Sequence, residues 1–122
     1  MTIKLKQPLF LIKKVDISTT GVKAASFENP LNRDCKISAF SIYSTKKQPF
    51  AAWEALIRPP DQKYVYTFAR GIATPSGVYD TLDISWNGAV YWPQNWDLII
   101  AIDINETSTL GAYIRVQVEE WP

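Results

Sequence analysis

The feature that most constrains this chain is a pair of alternating apolar runs near its C-terminal end. Apolar side chains fall at Leu98, Ile100, Ile102 and Ile104, and again at Ala112, Ile114, Val116 and Val118. Period two marks a strand with one buried face. The intervening positions are mixed in the first run (Asp97, Ile99, Ala101, Asp103) and polar or aromatic in the second (Tyr113, Arg115, Gln117, Glu119). Glu106-Thr107-Ser108-Thr109-Leu110-Gly111 between them has loop chemistry. The two runs read as a long antiparallel hairpin, with Leu98 opposite Val118, Ile100 opposite Val116, Ile102 opposite Ile114 and Ile104 opposite Ala112. A slip of one residue drives a whole apolar row into water, so the pattern specifies the register. Burial of the larger side chains contributes about 1.5–3 kcal/mol each before ordering entropy is subtracted. This register makes Asp103 and Arg115 favourable diagonal neighbours and sets Asp97 against Glu119, a like-charge conflict.

Upstream, the chain alternates strand patterns with turn signals. Met1–Lys6 reads as a first strand or an extended N-terminal arm, interrupted at Pro8, which has no backbone donor. Leu9–Ser18 reads as a strand with a bulge near Lys13-Lys14, because Phe10 and Ile12 sit on one parity and Leu9, Leu11, Val15 and Ile17 on the other. Val22–Phe27 is a short strand, closed by the loop from Glu28 to Asp34. Cys35–Thr45 is a strand of ambiguous parity, with Ile37, Ala39 and Tyr43 on one side and Phe40 and Ile42 on the other, as in a strand covered on both faces. Lys46-Lys47-Gln48-Pro49 reads as a turn.

Phe50–Arg58 is the one stretch with helix-forming composition, but a short run between two prolines favours a strand. Lys63–Arg70, rich in aromatic and β-branched residues, and Val78–Trp86 follow as strands. Asn87-Gly88 reads as a tight type I′ turn before Ala89-Val90-Tyr91. Trp92 and Trp96 flank Pro93 and are placed to lid one end of the core. About eight strands, turn signals throughout and no linker predict one all-β domain over residues 1–122, an antiparallel β-sandwich of jelly-roll type.

Composition narrows the chemistry. Hydrophobic residues make up 47% and charged residues 20% of 122 positions, which predicts a folded globular domain. A net charge of +1 without a basic block argues against a nucleic-acid or anionic-membrane surface. The chain has no His, which removes the commonest general base and most transition-metal sites. One cysteine, Cys35, supports neither an intrachain disulfide nor a Cys-based zinc site, and reads as a small core residue. The only N-terminal apolar run, Leu9–Ile12, is too short for a signal peptide or a membrane span, so cytoplasmic synthesis is expected.

The candidate sites are few. Asp80 with Asp83, or Asp97 with Asp103, pair as acid and base only on paper; as solvating charges at strand ends they need no further role. Asp103-Ile104-Asn105-Glu106 offers oxygen ligands but lacks the glycine and ligand run of a calcium loop. Asn105-Glu106-Thr107 matches a glycosylation acceptor. No cofactor is expected. The aromatics are the most informative set. Tyr79, Trp86, Tyr91, Trp92 and Trp96 lie close in sequence and either stack on sugar rings or pack the core and a subunit interface. Trp121 shares parity with Tyr113, Arg115 and Gln117, and an outward Trp near a terminus suggests a contact with another chain.

The aromatic–Pro step at Trp92-Pro93, the run Trp96–Asp103, a polar loop and the alternating Ala112–Val118 resemble the closing hairpin of small jelly-roll proteins on phage and viral capsids. These include trimeric decoration proteins and fibre-base domains. The resemblance covers the C-terminal third and carries no diagnostic motif. It implies a non-enzymatic virion protein, homo-oligomeric with a trimer favoured, sitting on other virion proteins, with Met1–Lys6 free to add a strand to a neighbour. The alternative from the aromatics is a carbohydrate-binding module.

Overall fold

The computed structural model describes residues 4–47, 51–73, 81–104, 107 and 109–122. Its strands are β1 (Leu9–Val15), β2 (Gly21–Glu28), β3 (Cys35–Lys47), β4 (Ala51–Arg58), β5 (Tyr66–Ala73), β6 (Thr81–Trp92), β7 (Asp97–Ile104) and β8 (Ala112–Glu120). They form two antiparallel four-stranded sheets, ordered β1-β8-β3-β6 (sheet A) and β2-β7-β4-β5 (sheet B), packed as a sandwich. Only β4 and β5 are consecutive strands within one sheet; every other consecutive pair lies in opposite sheets. This is the strand order of a jelly roll.

The alternation of β7 and β8 is as the sequence predicts, but the hairpin is not. Leu98, Ile100 and Ile102 are fully buried and Ile104 nearly so, and Ala112, Ile114, Val116 and Val118 are fully buried. Yet β7 pairs with β2 and β4, while β8 pairs with β1 and β3. The two apolar rows therefore meet across the core instead of side by side. Alternation reveals that one face is buried; it does not say whether the second row lies beside the first or opposite it. The connection 105–111 exceeds the usual hairpin loop of about two to five residues and suits a crossing between sheets. The predicted Asp97–Glu119 conflict and Asp103–Arg115 pair vanish with the hairpin. Asp97 sits in register with Arg58, and their side chains approach to 3.4 Å.

Two further expectations fail for one physical reason, a bulge where long strands pair. Asn87-Gly88 is no turn: β6 runs straight through it, and both halves of β6 pair with β3. Between the pairs Ile37↔Val90 and Ala39↔Asn87 the register shifts, and Gly88 and Ala89 stand opposite Ser38 alone, an excess of one residue. The local turn preference of Asn-Gly is overridden by pairing on either side. A Cβ on Gly88 would lie 2.6 Å from the Trp86 ring, so glycine lets that ring fold back over the strand. The same irregularity explains the parity of β3. Cys35 and Ile37 point inward, the phase slips at Ser38, and Phe40, Ile42 and Ser44 point inward thereafter. One face of β3 is buried, not both.

No bulge occurs near Lys13-Lys14, since β1 pairs with β8 without a break from Leu9 to Val15. Lys13 simply occupies an inward parity at the sheet margin, where its ammonium donates to the Ser26 carbonyl and lies 5.3 Å from the Phe27 ring centroid. Lys46 and Lys47 belong to β3 instead of a turn, and β5 extends to Ala73. Residues 51–58 are a strand as expected. In register, Ile100 lies between Ala25 and Ala55, a large residue flanked by two small ones.

Candidate interaction surfaces

The aromatic candidates do not form one site; the fold divides them among three places. Trp92 is fully buried, and its indole N–H donates to the Trp96 carbonyl at 2.7 Å, satisfying the one polar group of the ring. Trp96 is partly buried and stacks on Tyr66, with centroids 5.7 Å apart. These two close one end of the core, as their positions around Pro93 predict. Trp86 stacks on Phe40 at 5.3 Å and tilts against Phe68, which places it at the margin where β5 and β6 face each other. Trp53 joins this cluster edge-on to Phe40 and covers Gly71, where a Cβ would lie 2.7 Å from its ring. Tyr79 lies outside the described residues.

Tyr91 and Trp121 are the pair that reaches solvent, at 40% and 39% exposure, with ring centroids 4.9 Å apart. Trp121 thus faces outward, as its parity predicts. The Tyr91 hydroxyl donates to the Asp34 carboxylate. The other Asp34 oxygen accepts the Gln94 amide N–H at 3.0 Å, and the Gln94 side-chain amide donates to Asn32 at 3.1 Å. Asn29 ties the two loops together: its amide lies within 3.2 Å of the Arg33, Trp92 and Pro93 carbonyls, and its oxygen accepts the Leu31 N–H. Sequence reasoning missed Asp34 and Gln94, which lie far apart in the chain. The turn signals at 28–34 and 93–96 located both loops but not their meeting.

Electrostatics at this end follow from hydrogen bonding. Tyr91, then the Gln94 N–H, hold the Asp34 carboxyl below its ordinary range, and Asp34 in turn raises the Tyr91 phenol. Arg33 pairs with Glu120, whose carboxylate also accepts the Leu5 amide at 2.9 Å. Arg33 first and Leu5 second lower the Glu120 carboxyl. The described part of the N-terminal arm is thereby tied to the end of its own chain. Burial, then the charge of Glu120, pushes the fully buried Cys35 thiol up to about 11, the opposite of what a nucleophile needs.

The outer faces of the two sheets are the other surfaces of note. On sheet A, Phe10 and Ile12 are 48% and 63% exposed beside Tyr113, and the Arg115 guanidinium lies 5.2 Å from the Phe10 ring centroid. On sheet B, Val22 and Ile72 are 68% and 70% exposed at opposite margins of a floor containing Ala52 and Ala101, a shallow groove of about 420 Å³. Among the described side chains of outer parity, sheet A carries Lys14, Lys36 and Arg115 against Glu119. Sheet B carries Glu28, Glu54, Asp97 and Asp103 against Arg58 and Arg70.

Among the described residues no group of three or more Cys, Asp or Glu side chains is placed to hold a metal, and no helix is long and apolar enough to cross a membrane. Asp97 and Asp103 lie along one strand, each within reach of different neighbours. Asp80, Asn105 and Glu106 lie outside the described residues. No protein-family model and no curated protein matches this chain.

Proposed function

We propose that this chain is a non-enzymatic structural protein of a virion, a phage capsid decoration or accessory protein that associates with its own copies and stabilises a protein lattice. The observation that carries this reading is the pair of outer sheet faces. Each exposes large apolar residues that the fold does not require there, and the two differ in sign of charge. A positive face with Phe10 and Ile12 complements a negative face with Val22 and Ile72. Sheet A of one copy on sheet B of the next is a heterologous contact, and such contacts build closed rings, trimers included, or open arrays. A two-fold contact of either face with itself would oppose like charges.

The jelly-roll strand order is shared by viral capsid domains, and by lectins and cupins, so it supports the virion reading without singling it out. The resemblance of the C-terminal third to capsid decoration proteins favours it through the spacing of its apolar runs, although these face each other across the core instead of forming a hairpin. The absence of His from the sequence and the raised Cys35 thiol weigh against nucleophilic or imidazole-based catalysis. Size-exclusion chromatography with light scattering tests the reading. A mass that is a multiple of 13.9 kDa at micromolar concentration is expected, and a strict monomer would count against it.

A further inference from the structure

We propose that Tyr91 and Trp121, with Asp34 and Gln94, form a binding shelf for a neutral hexopyranose. The shelf lies at the loop end of the outer face of sheet A, where Tyr91 is in register with Lys36, so sugar binding and self-association are read by separate measurements. Three observations carry it together. The two rings are tilted 43° to each other at 4.9 Å and both reach solvent, so they offer adjoining apolar faces instead of a closed stack. A flat ring face matches the C–H face of a pyranose, whose hydroxyls point outward to the rim. The rim here is polar and held in place: Asp34, Gln94 and Asn32 are exposed, and their mutual hydrogen bonds preset them before any ligand arrives.

The rim chemistry narrows the ligand. An ionised carboxylate is acceptor-only and has about four acceptor sites. Asp34 uses one oxygen for the Tyr91 hydroxyl and the other for the Gln94 N–H, leaving each with a further site for a ligand hydroxyl. The Gln94 amide, with one N–H directed to Asn32, keeps a second as donor. Vicinal hydroxyls, which both donate and accept, suit such a rim. A uronate or sialic acid would bring its charge against Asp34 while the neighbouring Arg33 is engaged with Glu120. The shelf therefore favours neutral over acidic sugars.

The test is an NMR titration of the full chain with neutral methyl hexopyranosides, their disaccharides and a methyl uronate, to about 50 mM, where millimolar binding still registers. Saturable shifts of the Trp121 indole N–H and Tyr91 ring signals are expected with at least one neutral sugar. The buried Trp92 indole N–H should stay still and report an intact fold. Trp121→Ala and Asp34→Ala should each weaken binding roughly tenfold or more, and the uronate should bind more weakly. No response to any neutral sugar overturns the proposal, as does unchanged binding by Trp121→Ala. So does a Trp121→Ala change in solution mass without sugar binding, which would make the pair a protein contact. Sugar binding can fail while the multimer persists, and the reverse, so the two readings fall separately.

Discussion

Ile102 and Ile72 carry the same hydrocarbon in the same sheet and live in opposite environments. Ile102 on β7 is fully buried against sheet A, while Ile72 on β5 is 70% exposed on the outer face. The inner residue is explained by the fold: its removal leaves a hole between two sheets. The outer one is not, because an edge-strand position facing water accepts a polar side chain at no cost to packing. The difference teaches that the interior of this molecule accounts for its shape and leaves the outer apolar residues to be explained by something outside the domain.

The contrast breaks most sharply under truncation. Ile102→Ala should destabilise the domain by about 2–5 kcal/mol, measured by urea unfolding, because the rigid sheets cannot close over the lost volume. A loss below about 1 kcal/mol would erase the distinction between the faces. Gly71→Val comes next, at about 1–3 kcal/mol, since its Cβ would meet the Trp53 ring at 2.7 Å and push it off the inner face.

Acid sharpens the comparison at the loop end. Glu120 and Asp34 have folded-state carboxyls held below their ordinary range. Between the folded and unfolded values the unfolded chain binds more protons, so stability rises with pH there. Their contribution is complete above the ordinary carboxylate range, roughly pH 4, and is lost as pH falls through and below it. Thermal melts should drop on acidification, and Glu120→Gln should show a shallower drop. An equal slope in the variant would remove Glu120 from this role. The smallest stability effect belongs to Ile72→Ser, within about 0.5 kcal/mol, and its measurable consequence should be a lower solution mass.

How much of this was legible in the sequence follows the same division. One-sided burial showed wherever alternation ran unbroken, as in β7 and β8, and the inward rows there are the ones the spacing predicts. Partner choice did not show, because β7 and β8 have the same pattern whether they pair or face each other. Asn87-Gly88 misled because its glycine, which favours a reversal, also sits in a bulge when β3 pairs with the strand on both sides. The apolar residues of β3 on both parities, Ile37 and Phe40 among them, were visible, but their cause is a phase slip at Ser38 instead of two covered faces. For the surfaces, Tyr91 and Trp121 were singled out by residue type. Their meeting, and the arrival of Asp34 beside them, depend on sheet order that no local pattern carries.

If sheet A of one copy meets sheet B of the next, reversing charges on one face must dissociate the copies, and light scattering reads that change. Lys14→Glu with Arg115→Glu should turn the assembly into 13.9 kDa monomers, and adding Glu54→Lys with Asp103→Lys should restore the wild-type mass. A wild-type monomer, or a multimer indifferent to both sets of changes, would contradict it.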